Sequence, residues 1–189
     1  MFISLIEIID IIIMTFAIGY IFSDFFKREP SEGYDPLTYY KKSPFFENLK
    51  RAALIAAPAV VFHELAHKFV AMSFGASATL HAPYFWYAVV IILKLMRFPL
   101  LFFVGGYVTH TPLPALQSSL VAIAGPLTNL ILWLASLLVV KYNLVNRKYY
   151  KIIVPLGKIN MFLFIFNMLP LPGFDGYHFF SNLFRAFIG

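Results

Sequence analysis

The chain has 189 residues, 60% of them hydrophobic and 13% charged, which excludes an ordinary soluble domain and points to a bilayer as its solvent. It has no cysteine, so disulfides, thiolate metal sites and a cysteine nucleophile are excluded. The net charge of +6 comes from basic residues scattered among apolar segments; they form no aromatic-interleaved stripe, so contact with lipid headgroups accounts for them and nucleic acid is not expected.

A bilayer core of ~30 Å takes about 20 mostly apolar residues per helix. The expectation is therefore an all-α polytopic membrane protein, a single integral-membrane domain over 1–189 with four to six crossings. Residues 3–22 read as a first apolar helix, with Glu7 and Asp10 on one face; without a basic leader region or a small-x-small cleavage site it is expected to be retained. Residues 23–50 mix charges with Pro30, Gly33, Pro36 and Pro44 and read as a surface loop carrying at most a short amphipathic piece. A second helix is expected over 51–74, stopped by Gly75. Residues 84–104 are again apolar but are interrupted by Lys94, Arg97 and Pro99. Helices over 117–141 and 151–169 follow. The first carries Gly125-Pro126 and Asn129 near its start, and the second runs into Pro170, Pro172 and Asp175. An amphipathic segment, 177–188, closes the series.

Of nine acidic residues, seven lie at or before Glu47, leaving Glu64 and Asp175 as the only two beyond it, both in apolar surroundings. Ionisable groups at membrane depth are costly and by default mark function. His63-Glu64-Leu65-Ala66-His67 is an HExxH pattern on a helix, and its four-residue spacing puts both imidazoles on one face where they can share a metal. Glu64 can then take a proton from a water that zinc activates. A catalytic zinc usually has three protein ligands, and Asp175, the only carboxylate after Glu64, is the expected third; the alternative is an ordinary Asp-Gly turn. Asn129 is open between two roles, hydrogen bonding between helices and holding substrate near the metal. His81, His110 and His178 are weaker candidates near loops or helix ends, with His178 a possible supporting group for the metal set.

HELAH, then Gly-Pro-Leu-Thr-Asn129, then Asn167-Met-Leu-Pro-Leu-Pro-Gly-Phe-Asp-Gly176 occur in this order, with Ala71 and Gly75 fitting an extended form of the first. In these motifs the chain resembles the site-2 protease family of intramembrane zinc metalloproteases, peptidase family M50. The resemblance implies a three-helix catalytic core and one Zn2+ per chain held by His63, His67 and Asp175. It also implies Glu64 as general base, Asn129 as a substrate-positioning residue and hydrolysis of a transmembrane protein substrate within or near the bilayer. Gly105-Gly106 resembles the glycines of a short membrane-embedded strand region in that family. No stretch is free to form a PDZ domain, and a multi-pass protein of the cell membrane is implied.

Many members of the family have only a short connection where this chain has the apolar stretch 84–104. If the metal site lies near one face of the membrane, residues 75 and 117 share that side, so 84–104 cannot cross once. A re-entrant hairpin or interfacial segment with Lys94 and Arg97 near its turn is expected; a full crossing with snorkelling basic residues is the alternative. Ten of the fifteen Lys and Arg residues fall on the opposite side, which the positive-inside rule makes cytoplasmic, whereas the family pattern turns the catalytic side to the cytosol and is preferred here. A metal or proton transporter using the same residues is the main rival, and a scaffold with structural zinc a third reading.

Overall fold

The computed structural model describes residues 3–26, 45–98 and 105–188. Its elements are α1 (Leu5–Phe22), α2 (Phe45–Ser73), β1 (Ala78–His81), α3 (Tyr84–Leu95), β2 (Tyr107–His110), α4 (Ala115–Lys141), a 3-10 turn (Arg147–Tyr149), α5 (Tyr150–Asn167) and α6 (Asp175–Ile188). Among the described residues, four helical segments are long and apolar enough to cross a membrane: Leu5–Phe22, Phe45–Ser73, Ala115–Lys141 and Arg147–Asn167. Their outward faces carry exposed Phe16, Leu54, Ile131, Leu137 and Ile165, a surface suited to lipid tails and not to water. The protein is an all-α polytopic membrane protein with, among the described residues, one small sheet.

Without a hydrophobic drive between helices in lipid, small residues that let backbones approach closely hold the bundle together. On α2, Ala52, Ala56 and Ala59 are fully buried. Opposite them on α1, a Cβ added to Gly19 would stand only 2.9 Å from that of Ala53, so glycine permits this crossing. Met14, Ile18 and Ile21 of α1 fill the space toward Val60, Leu80, Tyr87 and Leu163, drawn from four further elements.

A buried ion pair ties the same helices together. Ser4 caps α1 in a reciprocal box with Glu7, and the Glu7 carboxylate also accepts from the Lys68 ammonium of α2 and, at 2.8 Å, from the Leu80 amide of β1. Glu7 is 3% exposed and Lys68 2%. Their charges thus compensate each other away from water while fixing β1 against both helices.

The expected boundaries require three corrections. The second helix begins at Phe45, not at 51, so the end of the expected loop is helical; Glu47 in its first turn suits a helix start. The last helix begins at Asp175, not at 177, and Asp175 therefore opens a helix where an acid trailing the preceding one was expected. Asn129 lies near the middle of α4 and not near its start. Gly75 does end α2, in a left-handed conformation with φ +82°. The amphipathic piece expected before residue 45 and the 99–104 part of the apolar stretch lie outside the described residues.

The apolar excursion leaves and rejoins one place. β1 and β2 are antiparallel, with Ala78 opposite His110 and His81 opposite Tyr107, so residues 82–106 start and finish on neighbouring rungs. A single crossing would separate those ends by the thickness of the membrane. The outward limb is α3, which runs beside α1: the Tyr84 hydroxyl donates to Asp10, while Lys94 donates to the Tyr20 and Ile21 carbonyls in the last turn of α1, to Ser23 Oγ at 2.8 Å, and pairs with Asp24 at 3.1 Å. Lys94 thereby caps α1 from a different element.

Removing one partner of the Glu7–Lys68 pair leaves a buried charge alone. Glu7→Gln or Lys68→Met is expected to lower stability by about 3–5 kcal/mol, with the double variant recovering most of the loss. Thermal unfolding in detergent measures this; equal losses in single and double variants would contradict it.

Candidate metal centre

His63 and His67 lie one turn apart on α2 and are 5% and 7% exposed. Each ring has one nitrogen committed. His63 Nδ1 is 2.6 Å from Asn129 Oδ1, and His67 Nδ1 is 2.7 Å from the Val121 carbonyl, both on α4. Since the Asn129 amide nitrogen donates to the Ala59 carbonyl and to Asn160 Oδ1, at 3.0 and 2.8 Å, its oxygen is the atom facing His63. An amide oxygen and a peptide oxygen accept only, so both Nδ1 atoms carry protons and both Nε2 atoms are left as ligands.

Those Nε2 atoms stand 3.0 Å apart, with Asp175 Oδ2 2.9 Å from that of His63 and 3.4 Å from that of His67. Three electron-pair donors converging this closely need positive charge among them, either protons or a metal ion. Ligands bonded to zinc at ~2.0–2.2 Å in tetrahedral directions lie about 3.3 Å from one another, so the observed spacing fits the metal. Among the described residues, His63, His67 and Asp175 form a group able to hold one.

Glycines make the convergence sterically possible. A Cβ on Gly125 of α4 would collide with both imidazoles, so a bare backbone must pass there. A Cβ on Gly176 would run into the Met168 and Leu169 carbonyls, so glycine also lets the start of α6 tuck under the end of α5. Gly173, at φ +94°, turns the chain from Pro172 into that helix.

Glu64 points to the same side, 6% exposed, with its side chain packed against the Gly106 backbone just before β2. With the three converging residues it lines a cavity of about 520 Å³ that also reaches His110, Asn167 and His178. His178 forms part of this wall without joining the three-atom cluster, and His81 is engaged with Thr109 and stacked on Tyr107. Asn129 departs from the expectation of a substrate-facing side chain. It is fully buried behind His63, its amide is engaged on both ends, and it does not line the cavity.

Sequence reading missed four contributors: Asn160, the Val121 carbonyl, Gly125 in its steric role and the Glu7–Lys68 pair. A lysine next to HELAH in an apolar helix and an acid in α1 were the available signals for the pair. Nothing local marks a backbone carbonyl as the partner of a histidine.

Two variants probe the arrangement. Gly125→Ala should lose bound zinc while the helices stay intact, as metal analysis and circular dichroism would show. Asn129→Ala frees His63 to rotate and should weaken zinc binding about 10–100-fold, measured by competition with a chromogenic chelator.

No family model and no solved structure matches the chain. Among curated proteins it is similar to two from Methanocaldococcus jannaschii. It is 34% identical over 176 residues to "Putative zinc metalloprotease MJ0611", covering 90% of this chain and 81% of that protein. It is 29% identical over 117 residues to "Zinc metalloprotease MJ0392", covering 62% of this chain but only 29% of that longer protein. The first of these relatives is matched over most of both chains, and the chain belongs with it to a family of zinc metalloproteases.

Proposed function

We propose that this protein is an intramembrane metalloprotease of the site-2 type, a multi-pass protein of the cell membrane that hydrolyses peptide bonds of transmembrane substrates within or near the bilayer. The observation that carries the reading is the His63–His67–Asp175 convergence with Glu64 beside it, on helices apolar enough to span a membrane. A structural zinc is usually enclosed by four protein ligands, whereas here three protein donors meet at the wall of an open cavity, as a catalytic site requires.

In this reading His63 Nε2, His67 Nε2 and Asp175 Oδ2 would hold one zinc ion. When bound, zinc supplies Lewis acidity toward the scissile carbonyl and lowers the pKa of a coordinated water to about 7. Glu64 accepts the proton of the attacking water on its carboxylate and passes it to the leaving amide nitrogen. The Gly106 backbone packs against the Glu64 side chain and limits where its carboxylate can turn. Asn129 fixes the ring plane and tautomer of His63, which replaces a direct role in gripping substrate. A transmembrane helix hides its carbonyls in hydrogen bonds, so a substrate must unwind locally to reach the cavity, and residues that break helices near the cut should favour cleavage.

The test compares wild type with Glu64→Gln on a panel of transmembrane peptides after metal analysis. Glu64→Gln should retain zinc and cleave at least about 100-fold more slowly, and wild-type cleavage should stop on chelation and return with zinc. Equal cleavage by both proteins would remove Glu64 from the mechanism.

A further inference from the structure

The peptide between Gly105 and Gly106 is where the 82–106 excursion rejoins the site. Its N–H end, at Gly106, lies against Glu64, whose Cγ is 3.0 Å from where a Cβ on Gly106 would stand. Its C=O, from Gly105, accepts a 3.1 Å hydrogen bond from the Tyr87 hydroxyl of α3. Both groups belong to one rigid plane, so fixing one end fixes the aim of the other. The plane needs fixing, because it is flanked by two glycines, the residues whose backbone rotates with least resistance. A side chain on Gly106 cannot supply the restraint: a Cβ there would lie 2.7 Å from Met14 Cε and 3.0 Å from Glu64 Cγ.

Tyr87 is well placed to supply it. The residue is 3% exposed and packs in the main core with Met14, Val60 and Leu80. Its helix is anchored at both ends on α1, by Tyr84 to Asp10 and by Lys94 to the last turn. The apolar segment thus delivers a buried hydroxyl to a peptide that lies against Glu64.

We propose that Tyr87 is a positioning residue for Glu64, acting through the Gly105–Gly106 peptide, and that α3 serves to present it. The inference rests on the reading of Glu64 as the proton acceptor. Without the hydroxyl the peptide can flip, turning a carbonyl oxygen toward the Glu64 carboxylate, which would rotate away from the cavity.

The experiment uses the zinc-loaded full chain with Tyr87→Phe, which removes only the hydroxyl, and with Tyr84→Phe, which loosens the same helix without touching Gly105. Tyr87→Phe is expected to lower kcat about tenfold with KM and bound zinc unchanged, and to speed hydrogen exchange at the Gly106 amide. Tyr84→Phe, which leaves the Tyr87 hydroxyl and the Lys94 anchor in place, is expected to change kcat and that exchange rate clearly less than Tyr87→Phe does. Wild-type kcat and exchange in Tyr87→Phe, or equal losses in both variants, would overturn the inference while leaving the role of Glu64 intact. Equal cleavage by wild type and Glu64→Gln would overturn both together.

Discussion

The fold is organised around a repulsion. Two imidazole nitrogens and a carboxylate oxygen are brought within 3.4 Å of one another, each offering electron density to the same point. They can stay there only because the opposite side of each ring is held: His63 by Asn129 and His67 by the Val121 carbonyl. That demand explains why α4 must come so close to α2, and why it passes the rings at Gly125, where any side chain would push them aside. It also explains why α5 contributes Asn160, whose oxygen fixes which way the Asn129 amide points.

Around this centre the protein uses polar groups sparingly and pairs them. Glu7 and Lys68 neutralise each other, Asp10 receives Tyr84, and Lys94 donates to the Ile21 carbonyl at the end of α1. In hydrocarbon an unpaired group of this kind would cost several kcal/mol, so the pairs act as directional fasteners where apolar packing is indifferent to register. The first connects α1 to the helix that carries both histidines, and the other two connect it to α3. The first helix, which carries none of the metal-binding residues, therefore determines where β1 and α3 sit.

Much of this was legible in the sequence because membranes simplify the code. Long apolar runs set the four spans, and the scarcity of acids after Glu47 singled out Glu64 and Asp175, which the fold brings to one cavity. The early start of α2 was hidden because Glu47, Asn48 and Lys50 look like loop, although such residues also suit a helix emerging from the bilayer. Asp175 was read as the end of a broken helix because Asp-Gly resembles a turn; an acid in the first turn of a new helix has the same local spelling. The orientation of Asn129 could not be read at all, since its partners come from α2 and α5, distant in sequence.

The three candidate ligands are also separated in time. During synthesis, which proceeds from the N-terminus, both histidines are made and inserted well before Asp175 exists. A nascent chain thus carries only two-thirds of its coordinating set, a weak and incomplete trap for metal. The set closes when α6 starts beneath α5 and the Gly176 backbone slips against Met168 and Leu169. The candidate set is therefore complete only after the helices that surround it have been made.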